Sequence, residues 1–182
     1  MVKSINKWSV KLKNYYKINI FILKDSNYID IKIMTQKFLF SINGKNVSIP
    51  YRIYKDPIDT SDFEYIYMMT RHSDGYIREK FLKKILASDN LRYEATPFIV
   101  LLIGEYIIEI LEIIEKNDRI YPYLDLFFRE NQSYYLILKS KIISYWNEYY
   151  RDRFPNFKDY VGSKIILRLE NMNSNLIKKM KS

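Results

Sequence analysis

The chain has 182 residues, 48% hydrophobic and 28% charged, a globular balance in a length that suits one domain with a real core and crowds two. It has no cysteine, which excludes disulfides, thiolate metal sites and cysteine nucleophiles and fits a reducing, cytoplasmic compartment. Its 30 Lys plus Arg outnumber 21 Asp plus Glu, and the net charge of +9 suits an acidic protein, nucleic acid or anionic membrane surface, though an AT-rich coding bias explains it equally.

Residues 1–24 carry Lys3, Lys7, Lys11, Lys13, Lys17 and Lys24 and no acid, together with Trp8, Val10, Leu12, Tyr15 and Tyr16. They read as a basic, partly amphipathic N-terminal arm, without the long apolar stretch and cleavage site of a signal peptide. The stretch 27–49 admits two readings. Ile29, Ile33, Met34 and Phe38 share one helical face, with Asn43-Gly44 as the stop. The same stretch alternates apolar and polar residues around Asn43-Gly44, the turn pair of a β-hairpin. We take the helix as the expectation, because nothing else in the chain offers a sheet for a lone hairpin to join. Pro50 and Pro57 then mark a connector.

From residue 60 onward the helical pattern is clear. Thr60, Ser61 or Asp62 can cap a helix to about Thr70, and 71–75 break it. Asp74 can cap a second helix, with Ile77, Phe81, Leu82 and Ile85 on one face and Arg78, Lys80, Lys83 and Lys84 turned away. Pro97 opens a third, in the first turn where a missing N–H costs little, and Gly104 bends it. Ile103, Ile107, Ile110, Leu111 and Ile114 follow on one face, opposite a solvated stripe of Glu105, Glu109 and Glu112. Pro122 opens another helix. Asn131 or Ser133 can cap the longest, to about Tyr150, with Tyr135, Leu138, Ile142, Trp146 and Tyr149 facing inward. Pro155 redirects the chain, Asp159 can cap a last helix bearing Val161, Ile165 and Leu169, and 171–182 form a polar, basic, frayed tail. The most apolar stretches, 98–103 and 107–114, are too short and too interrupted to span a bilayer.

Asp74-Gly75-Tyr76-Ile77-Arg78, followed by Phe81, Leu82 and Ile85, resembles a HEAT-type repeat, in which an Asp near the turn precedes a Val-Arg start to the second helix. Pro97 with Leu101 and Leu102 looks like the first helix of a next repeat, and "GEYIIE" at 104–109 like its turn and second helix. Phe81 stands where a small residue is usual, and Glu109 where a second Arg would be. The resemblance covers about residues 60–152. It implies an all-α fold: a short HEAT-like solenoid of stacked antiparallel helix pairs, filling 1–182 as one domain, with the hairpin alternative confined to 27–49.

The chemistry that the sequence carries is sparse. His72 is the only histidine and sits in the helix–turn–helix elbow "RHSDGYIREK" with no nucleophile beside it. Gly44, Gly75, Gly104 and Gly162 are isolated, so no phosphate-cradling loop can be written. We therefore assign no catalytic residue, cofactor or metal ligand, and expect a binding protein rather than an enzyme. Candidate partner contacts are Arg71, His72 and Arg78 at the elbow, and Tyr149, Arg151, Arg153 and Lys158, where aromatics alternate with cations. The expected role is a non-catalytic protein-binding module of adaptor, accessory or immunity type with an acidic partner. The alternative is a nucleic-acid-binding HEAT-like protein of the DNA-repair kind, its aromatics stacking bases and its cations meeting phosphates.

Overall fold

The computed structural model describes residues 37–58, 61–89 and 91–181, with side chains through residue 172. The basic arm at 1–24 and the first part of the ambiguous stretch, 27–36, lie outside the described residues.

Residues 37–50 form a hairpin and not the expected helix. Strand β1 (Lys37–Ile42) pairs antiparallel with β2 (Lys45–Pro50), setting Phe38 opposite Ile49 and Phe40 opposite Val47. Asn43 at φ 51° and Gly44 at φ 71° both sit in the left-handed region that a two-residue I′ turn requires. The helix expectation rested on the lack of a companion sheet, but this hairpin packs on helices instead. Phe40 is buried with its ring edge-on to Phe127 and Tyr134, at 5.2 and 4.8 Å. The Asn131 side chain accepts from the Ser41 N–H (2.8 Å) and donates to the carbonyls of Ser41 (2.8 Å) and Phe127 (2.9 Å). A second latch joins the Asn43 N–H to Glu130 Oε2 at 2.9 Å. Asn131→Ala is expected to cost about 1–3 kcal/mol, since it deletes three hydrogen bonds at a half-buried junction. Urea unfolding measures this, and the native far-UV spectrum should keep its helical intensity.

Seven α-helices follow among the described residues. Helix α1 (Phe63–Met69) starts on Asp62, which accepts from the Glu64 N–H at 3.0 Å. Helix α2 (Gly75–Ala87) starts on Asp74, which accepts from the Tyr76 N–H at 2.8 Å. Helix α3 (Thr96–Ile103) has Pro97 in its first turn, ends at Gly104, and is buried along its whole length. Then come α4 (Ile108–Glu115), α5 (Tyr121–Glu130) with Pro122 in its first turn, and α6 (Gln132–Tyr145). The last, α7 (Val161–Lys181), is the longest, and its backbone stays helical over the stretch read as a tail.

Helix α3 packs between α4 and α5, while α2 packs on α4. Helix α7 closes the other side, against α4, α5 and α6. Its start lies so close to α6 that a Cβ on Gly162 would stand 2.8 Å from Ile142 Cγ2 and 2.6 Å from Tyr160 Cε1. Helix α6 buries only Tyr134, Leu138 and Ile142 and leaves Leu136, Ile137 and Ile143 exposed. It continues into a π-turn (Trp146–Tyr150), which adds a residue to the turn. The 3.6-residue stripe extrapolated through this turn holds at Trp146, half-buried and packed against the core, and fails at Tyr149, which is exposed.

Candidate functional site

The turn after α3 presents Glu105, which was expected on a solvated stripe with Glu109 and Glu112. Glu109 is exposed and Glu112 half-buried, but Glu105 is only 7% exposed. Gly104 ends α3 before Glu105 can join the outer face of α4, and the carboxylate turns inward. Three guanidiniums converge on it. Arg52 Nη1 and Arg71 Nη1 each lie 2.9 Å from Oε1, and Arg78 Nε lies 2.9 Å from Oε2. The Arg78 contact is an ion pair by distance, without the alignment of a hydrogen bond.

Further donors of Arg71 and Arg78 bind backbone. Arg71 Nη2 donates to the Tyr51 carbonyl at 2.7 Å, and Arg78 Nη1 to the carbonyls of His72 and Ser73 at 2.7 and 2.8 Å. They brace a junction where the connector lies along the elbow: the Ile53 N–H donates to Arg71 O and the Ser73 N–H to Ile53 O, both at 2.9 Å. His72 Nδ1 accepts from the Asp74 N–H at 2.9 Å, so that lone pair is spent on the turn.

The cluster is unbalanced in charge. Three guanidiniums contact one buried carboxylate, and Lys141 of α6 lies nearby, its Cδ 3.7 Å from where a Cβ on Gly104 would stand. Burial pushes the Arg71 pKa down to about 10, with Arg52 and Arg78 adding to the effect and Glu105 opposing it. Burial likewise lowers Arg78 and Lys141. The buried Tyr134 hydroxyl has no hydrogen-bond partner among the described residues, and burial raises its pKa to about 12.

A tyrosine face adjoins the cluster. Tyr106 follows Glu105 directly, and the rings of Tyr106, Tyr145 and Tyr149 lie 5.5–6.1 Å apart. The Tyr150 hydroxyl donates to the Tyr106 carbonyl. The π-turn brings Tyr149 and Tyr150 to the side on which Tyr145 meets Tyr106. Tyr106 and Tyr149 remain 52% and 58% exposed.

Of the residues singled out from sequence, Arg71, His72 and Arg78 are buried, so the elbow is an interior junction rather than a surface. Tyr149 joins the tyrosine face. Arg151, Arg153 and Lys158 are exposed, Arg151 lying over Trp146 and Arg153 over Phe154. Sequence reasoning missed Arg52, Glu105, Tyr106, Lys141 and Tyr145 as a unit. The one available signal was Glu105-Tyr106 interrupting the most apolar part of the chain.

Among the described residues no group of three or more His, Asp or Glu could hold a metal ion, and no helix is long and apolar enough to cross a membrane. No family model, curated protein or solved structure matches the chain at a significant level.

Proposed function

We propose that the chain is a non-catalytic protein-binding module of adaptor, accessory or immunity type, acting in the cytoplasm on an acidic partner. Its scaffold is a short HEAT-like solenoid of stacked helix pairs, a reading supported by the packing of α2 on α4 and of α3 on α5. The observation that carries the function is the placement of exposed Tyr106 and Tyr149 beside a cluster of three guanidiniums around one carboxylate. Tyrosine and arginine are the side chains over-represented in binding hot spots, where large rings give area at little entropic cost. The nucleic-acid alternative has weaker support, because the cations Arg151 and Arg153 already lie over the chain's own rings.

The test is paired capture. Wild-type protein and a Tyr106→Ser/Tyr149→Ser variant are immobilised and exposed to extract of the source cell, and bound proteins are quantified by mass spectrometry. We expect a reproducible set depleted about tenfold or more on the variant. Identical capture by both proteins would overturn the assignment of this face.

A further inference from the structure

Lys141 is half-buried, with Nζ 5.7 Å from the centroid of the Phe38 ring. The charges it feels are Arg71, Arg52 and a Glu105 already shared by three guanidiniums. An ammonium drawn partly out of water needs an acceptor to offset its lost hydration. No described residue gives Lys141 an ion pair or a hydrogen bond. Arg52 is in a similar state: Nη1 binds the Tyr51 carbonyl and Glu105, while no described residue accepts from Nε or Nη2. Its side chain, 16% exposed, is the most accessible of the three guanidiniums.

Lys141 stands on the open face of α6 with Leu136, Ile137, Ser140, Ser144 and Tyr145. Tyr145 ties this face to the cluster's edge, its ring centroid 6.1 Å from that of Tyr106, the residue after Glu105. Leu136 and Ile137 are 66% and 51% exposed, an aliphatic surface beside the Lys141 ammonium.

We propose that this face of α6 is a docking socket for an acidic protein segment, an Asp or Glu carboxylate of the partner meeting Lys141 while its apolar neighbours cover Leu136 and Ile137. The assignment rests on the protein-binding function above and names the chemistry of the partner. A carboxylate fits because the neighbouring guanidiniums already bind one in Glu105. A nucleic-acid strand fits less well, since a phosphate backbone needs a continuous cationic track. Here the cations stop at an aliphatic wall.

The probe is a fluorescent peptide of alternating Glu and Leu, followed by anisotropy, beside a single-stranded DNA oligonucleotide of equal charge. Lys141→Met keeps the aliphatic stem, and it is expected to fold with a melting temperature no lower than wild type because it relieves repulsion with Arg52 and Arg71. The control is Lys116→Met, which removes the same charge from an exposed position between α4 and α5. We expect Lys141→Met to weaken peptide binding about tenfold or more and Lys116→Met less than about threefold, with the oligonucleotide bound more weakly than the peptide. Three results overturn the socket: no binding of the peptide to wild type, equal losses in the two variants, or Lys141-dependent binding of DNA tighter than of peptide. If any of these occurs while capture still depends on Tyr106 and Tyr149, the socket falls and the protein-binding function stands.

Discussion

Glu105→Gln is expected to lower the unfolding free energy by about 3–5 kcal/mol, the cost of leaving buried charge without its counter-ion. The amide keeps the volume of the carboxylate and can still accept a hydrogen bond from Arg71 Nη1 or Arg52 Nη1. It cannot neutralise three guanidiniums of which two, Arg71 and Arg78, are almost wholly buried. The opposite deletion should behave differently. Arg52→Met removes one of several cations, leaves Glu105 with Arg71 and Arg78, and relieves like-charge repulsion, so a loss of only about 1 kcal/mol is expected. Urea unfolding of the two variants decides the point. If Arg52→Met costs as much as Glu105→Gln, the carboxylate is not what holds the connector, the elbow and the α3 turn together.

That asymmetry arises from a convergence that no local pattern announces. The helix starts were legible because their signals are local: Asp62 and Asp74 cap the next N–H groups, and Pro97 and Pro122 sit in first turns. The hairpin was equally legible in Asn43-Gly44 and was set aside for want of a sheet. Phe127, Tyr134 and Asn131 supply the missing surface, and they lie more than eighty residues further on. The cluster is scattered in the same way. Arg52, Arg71, Arg78, Glu105 and Lys141 meet only because Ile53 bridges to His72 and because α3 stops at Gly104. At helical spacing with Glu109 and Glu112, Glu105 looked solvated, and the turn that buries it breaks that spacing. The π-turn misled in a related way, because a stripe drawn at 3.6 residues per turn cannot foresee an added residue.

Raising the pH from about 10 to about 12 is expected to unfold the protein cooperatively, because its buried phenols resist ionisation only while it is folded. Burial pushes Tyr67, Tyr121 and Tyr134 up to about 12 and raises Tyr93, Tyr135 and Tyr160 further. In the unfolded chain the same groups ionise near about pH 10. Across that window the unfolded state therefore binds fewer protons, and stability falls as the pH rises. Below about pH 10 these groups are protonated in both states and add no slope. Tyr67, Tyr121 and Tyr134 are each 9% exposed or less, and a shift of this size is worth roughly 2–3 kcal/mol apiece. Three such terms approach the whole stability of a domain, typically about 5–15 kcal/mol. Arg71, lowered to about 10, works in the other direction with Arg78 and Lys141, which burial also lowers: each loses its proton more readily when folded and adds stability as the pH rises, three groups against the six raised phenols. The measurement is phenolate absorbance and far-UV circular dichroism on the same samples. The buried phenols should titrate together, more steeply than a single proton, and in step with loss of the helical signal. Independent titration of those phenols near about pH 10 with the helices intact would show that the tyrosine-rich core admits charge, and would remove the low-dielectric interior on which the arginine cluster also depends.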